Sequence, residues 1–171
     1  MPGSFLLLES PSEGDSLAPV KICYNLFAIF LLGACSGPQA PLVVKQFVLR
    51  DEKENAQDEP MIRMEKERRL RGAVSMAERK ERLGQYYTFV WSDAAGVGDG
   101  PVEVVFQYQQ GATGSLVKRM VKNFPAQDAS GTSDFAVIGK NYFEGGKVLA
   151  WKATVTRGKK QLATRQSYLW Q

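Results

Sequence analysis

From Gln85 to the end of the 171-residue chain, apolar and polar residues alternate with a period of two, and glycine-containing turns separate the alternating runs. Successive side chains of a β-strand point to opposite faces, so this period is typical of strands that bury one face. The strongest runs are 85–91 and 102–110. The pattern restricts the chain to layered β-sheets, and we expect these two runs to form a hairpin closed by residues 94–101.

Five further segments complete the predicted set of strands. Segment 42–49 is rich in Val and Phe, 115–124 alternates poorly and is expected at a sheet edge, and 135–138 is short. Segments 148–157 and 160–170 are separated by Gly158-Lys159, which suits a type II′ turn. The register of that hairpin places Lys152 opposite Arg165, a like-charge pair that predicts either an anion contact or two solvent-splayed side chains.

Seven short strands with aromatic core positions and glycine turns resemble an immunoglobulin-like or fibronectin type III-like sandwich. The fibronectin-like variant fits better, because residues 85–171 hold no cysteine pair. The resemblance implies a mainly β fold. We expect an antiparallel sandwich of about seven strands, preceded by a short helical segment. It implies nothing about activity, because this architecture carries many functions.

Segment 61–83 has a helix-like composition and two interruptions. Gly72 marks a stop, and Ser75-Met76-Ala77-Glu78 matches a capping box that begins a new helix. We expect a helix over 76–83 with Gly84 as its C-terminal cap. For residues 61–74 the pattern leaves helix and strand both open.

The same region is basic, with five cations against two carboxylates between residues 62 and 71. Two interpretations follow: a patch for anionic lipid, polysaccharide or nucleic acid, or a solvated helix face with Leu70 and Val74 turned inward. The second is the simpler. The cations are Arg63, Lys66, Arg68, Arg69 and Arg71.

An export signal precedes the sandwich. Lys21 is followed by an apolar run of 13 residues, 22–34, which is shorter than the roughly 20 residues that a membrane-spanning helix needs. The run ends in Leu32-Gly33-Ala34-Cys35, which resembles the lipobox of bacterial lipoproteins. That resemblance implies cleavage before Cys35 and acylation of its thiol. An ordinary secretory signal is the alternative.

The expected organisation has four parts. Residues 1–34 combine the signal peptide with an acidic, untranslated extension, because a start at Val20 would give a compact leader. Residues 35–41 form the lipid-anchored tether, 42–84 a strand, polar linker and helical segment, and 85–171 the β-sandwich. No thiol then remains in the domain for catalysis or for a disulfide.

Composition excludes several kinds of chemistry. The chain has no histidine, so serine or cysteine triads that need imidazole, and imidazole metal sites, are excluded. Its net charge is +4, from 22 basic and 18 acidic residues, too modest to predict nucleic-acid binding. We expect no cofactor and no metal. Glycines 96, 98 and 100 lack the phosphate-loop spacing and indicate a hairpin loop.

The best candidate binding residues are Tyr142 and Phe143, because adjacent aromatics in an extended segment cannot both point inward. Lys152 and Arg165 are the second candidate pair. Asp93 and Asp99 flank the glycine loop, but two carboxylates without the alternating ligand pattern of a calcium loop are weak evidence for a calcium site. A carboxylate-dependent hydrolase would need two of six acids, and nothing in their spacing selects a pair: Asp93, Asp99, Glu103, Asp128, Asp134 and Glu144.

These observations predict a lipid-anchored extracytoplasmic protein of the bacterial envelope or surface with a non-enzymatic binding or structural role. The outer membrane or the periplasmic face is favoured over the cell surface. The expected partners are the membrane, through the anchor, and an envelope protein or polysaccharide, but not nucleic acid. The alternatives are a carboxylate-dependent, glycosidase-like hydrolase and an assembly subunit of an envelope complex.

Overall fold

Two antiparallel sheets face each other across an apolar core. The structure, a computed structural model, describes residues 40–51, 57–96 and 98–170. The three-stranded sheet has the order β1 (Leu42–Leu49), β2 (Gly84–Ser92), β5 (Ser130–Ile138). The four-stranded sheet has the order β4 (Lys118–Phe124), β3 (Val102–Gln110), β6 (Val148–Arg157), β7 (Lys160–Gln166).

The mainly β, seven-stranded fold is therefore confirmed. In constant-type immunoglobulin domains the fourth strand lies beside the fifth. Here β4 pairs with β3 instead, at the edge of the four-stranded sheet, which agrees with the fibronectin type III-like variant. Strand β4 is an edge strand as expected, although it begins at Lys118. Strand β5 has nine residues and extends well before the predicted segment 135–138.

The core forms because both sheets bury the alternating face that the sequence shows. Tyr87, Phe89 and Trp91 of β2 are at most 1% exposed. Phe106 of β3 contacts rings from the opposite sheet, with centroids 4.7 Å from Tyr87 and 5.4 Å from Phe89. Offset and edge-to-face ring pairs of this kind add to the stabilisation from burial.

The predicted hairpin of β2 with β3 is wrong. Strand β2 pairs with β1 and β5, whereas β3 pairs with β4 and β6, so the segment between them crosses from one sheet to the other. Alternation tells which face of a strand is buried, and two strands that face each other across a core alternate just as two neighbours in a sheet do. The glycines 96, 98 and 100 consequently lie in a crossover and not in a hairpin loop.

A buried ion pair fixes this crossover. Nε of Arg157 donates to Oδ2 of Asp93 at 2.8 Å, and both side chains are under 10% exposed. The guanidinium also donates to the carbonyls of Ala126 at 2.8 Å and Asp128 at 2.7 Å, in the loop that carries β4 into β5. One arginine therefore joins two crossovers, and its hydrogen bonds to several acceptors compensate the cost of burying the charge.

The described ranges also contain three helices: α1 (Pro60–Leu70), α2 (Met76–Glu81) and α3 (Gly139–Gly145). The capping box of α2 is confirmed, since Oγ of Ser75 accepts from N of Glu78 and the Glu78 carboxylate accepts from N of Ser75. The prediction that Gly84 is the C-terminal cap of α2 is wrong. It begins β2, and Arg82 caps the helix. Val74 was expected to point inward but is 88% exposed.

The turn between β6 and β7 has glycine first, with Gly158 at φ +54°, as expected for a type II′ turn. The predicted register is wrong beyond two pairs. Thr156 pairs with Gln161 but Val155 pairs with Ala163, so one extra residue bulges out of β7. Counting outward from a turn cannot detect a bulge, and every later partner is displaced by one position.

Residues 1–39, which contain the predicted leader, most of the tether and Cys35, lie outside the described residues. Within the described ranges, no helix is both long enough and apolar enough to cross a bilayer.

Replacing Gly84 with Ala should strongly destabilise the domain. Gly84 has φ +147°, and a Cβ there would lie 2.3 Å from the Val137 carbonyl oxygen. We expect a loss of at least about 3 kcal/mol in the free energy of unfolding, measured by urea denaturation. Gly111→Ala is the matched control, because the nearest atom to its Cβ is 3.6 Å away. A loss below about 1 kcal/mol for Gly84→Ala would contradict the prediction.

Candidate functional site

Helix α1 packs on the outer face of the three-stranded sheet. Leu70 at the end of the helix contacts a second apolar cluster, separate from the main core, that includes Phe47 and Tyr86. The guanidinium carbon of Arg69 lies 4.3 Å from the centroid of the Tyr86 ring, a cation–π contact that fixes the helix over β2. The Arg69 guanidinium also lies 4.0 Å from the Asp134 carboxylate on β5. Strand β1 is left partly uncovered beside the helix.

The uncovered strip forms a groove of about 430 Å³ between α1 and the sheet. We call it the helix-sheet groove. Its volume falls in the range of small-molecule and side-chain binding pockets. The sheet contributes Lys45, Gln46, Phe47, Tyr86 and Thr88. The helix contributes Met61, Ile62, Glu65, Arg68 and Arg69.

The groove combines an apolar surface with fixed charges. Met61 is 81% exposed and Ile62 is 39% exposed, which is unusual for large apolar side chains beside a sheet. Glu65 accepts from Nε and Nη2 of Arg68, both at 2.7 Å, and from Nε of Arg69 at 2.8 Å. These contacts follow from the i, i+3 and i, i+4 spacing on one helix face.

The lining carries three cations and one carboxylate, so the groove is net positive. Hydrogen bonds from Arg68 hold the pKa of Glu65 below its ordinary value, against the opposing effect of partial burial, and Arg69 adds to the lowering. Lys45 is exposed and forms no ion pair with the part of the chain that the structure describes. The groove therefore suits a ligand with an apolar part and a negative charge.

The basic segment 62–71 does not form one continuous patch. Lys66 is buried and donates to Oδ2 of Asp58 at 2.7 Å and Oδ1 of Asp51 at 3.2 Å, and the hydrogen bond to Asp58 raises its pKa. Arg68 and Arg69 are held by Glu65. The segment is helical up to Leu70. Lys66 belongs to an internal ion-pair cluster and Arg68 and Arg69 line the groove, whereas Arg63 and Arg71 are exposed outside it.

Tyr142 and Phe143 lie in helix α3 and not in the extended segment that was expected. Their rings contact each other, with centroids 5.7 Å apart, and Phe143 is 50% exposed. Asn141 fixes the helix, because its carbonyl accepts from Nε2 of Gln110 and its Oδ1 accepts from Nζ of Lys118. Phe143 remains available on the surface, while the Tyr142 side chain is half-buried.

Lys152 and Arg165 do not oppose each other. The bulge in β7 pairs Lys152 with Gln166 and Arg165 with Ala153, so the two cations occupy opposite faces of the sheet. Since side chains alternate across a strand, a displacement of one residue separates the pair. The like-charge pair on which the anion contact depended is not formed.

The six candidate carboxylates are distributed over different elements. Asp93 is held by Arg157, Glu103 by Arg119 and Glu144 by Lys140. Asp134 lies on the outer face of β5, where its carboxylate accepts from the Thr88 hydroxyl. Among the described residues no group of three or more acidic or cysteine side chains is arranged to hold a metal ion.

The groove was missed by sequence reasoning because its residues come from three separated segments. One signal was present: Glu65 followed by Arg68 and Arg69 predicts ion pairs on one helix face. Nothing in the alternation of β1 shows that Phe47 faces a helix rather than solvent.

Fold and groove define the chain as a mainly β sandwich with a helix-lined surface site. No family model matches the sequence. No curated protein matches it either. Among solved structures, an immunoglobulin-like protein from Pseudomonas aeruginosa is similar, with 13% sequence identity, a TM-score of 0.36, and coverage of 76% of this chain and 97% of that chain. The fold assignment depends on the strand order and register described above, not on this similarity.

The ion-pair cluster of Glu65 should stabilise the domain in a pH-dependent way. A carboxyl whose pKa is lowered on folding contributes stability above its unfolded pKa of about 4.3, and that stability is lost as the pH falls through the folded pKa. Glu65→Gln should therefore destabilise the protein at pH 7, and the difference from wild type should shrink towards pH 3.

Urea denaturation at the two pH values measures this. Glu67→Gln, an exposed change on the same helix, controls for the loss of one negative charge. A difference between wild type and Glu65→Gln that is equally large at pH 3 and pH 7 would show that the ion pairs contribute nothing.

Proposed function

We propose that the chain is a lipid-anchored, non-enzymatic binding module of the bacterial envelope, with the helix-sheet groove as its binding site. The observation that carries the proposal is the exposure of Met61 and Ile62 above a net positive groove. Exposed apolar side chains rimmed by charge are typical of surfaces that bind a partner.

The anchor is supported by the order of residues before the domain. A basic residue, an apolar run, two small residues and Cys35 follow one another as lipoprotein processing requires. Strand β1 begins seven residues after Cys35, at Leu42. Seven residues span at most about 25 Å, so an acyl chain on Cys35 would keep the domain close to the bilayer.

A hydrolase that uses carboxylates alone is the second candidate. Its catalysis would need one carboxyl group with a raised pKa beside a second, ionised one. The shifts at Asp93 and Glu65 go the other way, since hydrogen bonds to their carboxylates lower the pKa of each. The buried ion pair between Asp93 and Arg157 favours a structural role for that acid.

Photo-crosslinking tests the groove. With p-benzoylphenylalanine at Met61, irradiation of membranes from the native host should give a discrete adduct, because the side chain lies on the rim of the site. The control position is Val121, which is 39% exposed and lies on the outer face of the four-stranded sheet. Adding Lys45→Glu should reduce the Met61 adduct several-fold.

Two results would contradict the groove as binding site. One is equal adducts at Met61 and Val121, which would indicate unspecific collision. The other is turnover of a glycoside or ester substrate that a single acid-to-Ala change abolishes, because that would assign the protein to the hydrolases.

Replacing Cys35 with Ser should move the protein from the membrane to the soluble fraction and leave the fold intact. Each buried acyl methylene contributes about 0.8 kcal/mol, so two or three long chains hold a domain far more firmly than a net charge of +4. Membrane fractionation after a high-salt wash measures the change, and urea denaturation checks the fold. If labelled fatty acid is absent from the wild-type protein, the anchor is refuted.

A further inference from the structure

We propose that the free edge of β1 takes an extended acidic peptide segment as an added strand, with alternate side chains of that segment entering the helix-sheet groove. This inference rests on the proposed function, since it names the class of partner that the groove binds. Adding a strand to an open sheet edge supplies main-chain hydrogen bonds, and pockets beside the edge select side chains.

Among the residues that the structure describes, strand β1 is paired on one side only. All eight residues from Leu42 to Leu49 pair with β2, and β1 is the outermost strand of its sheet. Gln46 pairs with Tyr87 and therefore lies on the opposite face from Lys45 and Phe47, yet all three line the groove. The groove therefore borders β1, where half of the strand's backbone groups point away from β2.

The edges of the four-stranded sheet are protected in a way that β1 is not. On β4, Lys118 and Lys122 pair with the core residues Tyr108 and Val104 and so lie on the core-facing side. On β7, Arg165 pairs with the core residue Ala153. Inward-pointing charges on edge strands prevent the addition of another strand.

The remaining edge is that of β5, where cationic side chains from other elements lie close to the strand on both faces of its sheet. Nζ of Lys122 lies 5.6 Å from the ring of Phe135, and the Arg69 guanidinium lies 4.0 Å from Asp134. The core-facing positions of β1, in contrast, are Leu42, Val44, Gln46 and Val48, none of them charged. Strand β1 contacts β7 of the opposite sheet, but among the described residues no strand pairs with its free side, which leaves its outward half available to a partner.

The outward face of β1 defines the sequence that fits. Val43, Lys45 and Phe47 share this face, in positions opposite Val90, Thr88 and Tyr86. Directly opposed side chains of neighbouring strands lie about 5 Å apart and interact. An added strand would therefore place apolar, acidic and apolar residues against these three, at every second position.

The predicted motif is apolar-x-(Asp/Glu)-x-apolar. It is symmetric, so it fits β1 in either strand direction. The acidic residue meets Lys45, which forms no ion pair with another described residue, and the apolar residue beside Phe47 reaches Met61 and Ile62.

The probe is a fluorescein-labelled peptide, Ser-Thr-Val-Thr-Glu-Thr-Val-Thr-Ser, titrated with the full-length chain by fluorescence polarisation. We expect the Lys45→Glu variant to bind this peptide about tenfold more weakly than the wild type does. The same variant should bind more tightly a peptide that carries Lys in place of Glu. Lys45→Gln, which removes the charge without inverting it, should lie between the two. Amide hydrogen exchange of β1 should slow on binding.

Two N-methylated peptides separate strand addition from other ways of filling the groove. One carries methyl groups on the backbone nitrogens of Val and Glu, and the other on those of the four Thr residues. Successive N–H groups of a strand point to opposite sides, so only one of the two peptides should lose binding, by more than tenfold. Loss by both or by neither overturns strand addition.

The outcomes also distinguish this inference from the proposed function. If phosphatidylglycerol vesicles bind and Lys45→Glu abolishes that binding, while no peptide binds, the groove function stands and the peptide inference fails. If neither probe responds to Lys45→Glu and the Met61 adduct is absent, both proposals fail.

Discussion

Phe106 occupies the centre of the sandwich, and the contacts of its ring determine how the two sheets lie against each other. It contacts Tyr87 and Phe89 from the three-stranded sheet and stacks on Tyr108 of its own strand, with ring centroids 5.2 Å apart in that pair. Burying large rings is the main favourable contribution in a small β domain. Because the inner faces of the two sheets are packed against each other, any partner must bind at the outer faces, the edges or the loops.

In the described part of the chain, the outer faces of the two sheets differ because a helix covers that of the three-stranded sheet. Helix α1 packs on the three-stranded sheet through Leu70 and the Arg69–Tyr86 contact, and it leaves β1 beside a groove. None of the described helices packs on the outer face of the four-stranded sheet, which is mainly polar, with Thr154 opposite Thr164. Under our proposal this asymmetry serves binding, because the covered face combines the exposed Met61 with Lys45, which pairs with no acid in the described part of the chain.

Several polar and charged residues stabilise the fold through their contacts. Asp93 binds Arg157 in a buried pair that joins two crossovers. Gln110 and Lys118 meet Asn141 and hold α3 against the end of the four-stranded sheet. Burying a polar group costs free energy unless the group is hydrogen-bonded, so buried polar side chains usually have hydrogen-bond partners. Their contacts indicate structural roles for these acids and amides.

Four features could be predicted from the sequence: the number of strands, the buried face of β2 and β3, the capping box at Ser75 and the glycine of the last turn. Each of these depends on residues that are close together in the chain, where period and side-chain chemistry are sufficient. Tertiary structure alone decided that β2 and β3 lie in different sheets, that a bulge separates Lys152 from Arg165, and that Lys45, Met61 and Tyr86 line one groove. Alternation encodes which face is buried and not what covers it, so the partners of each face were decided by packing between segments far apart in the chain.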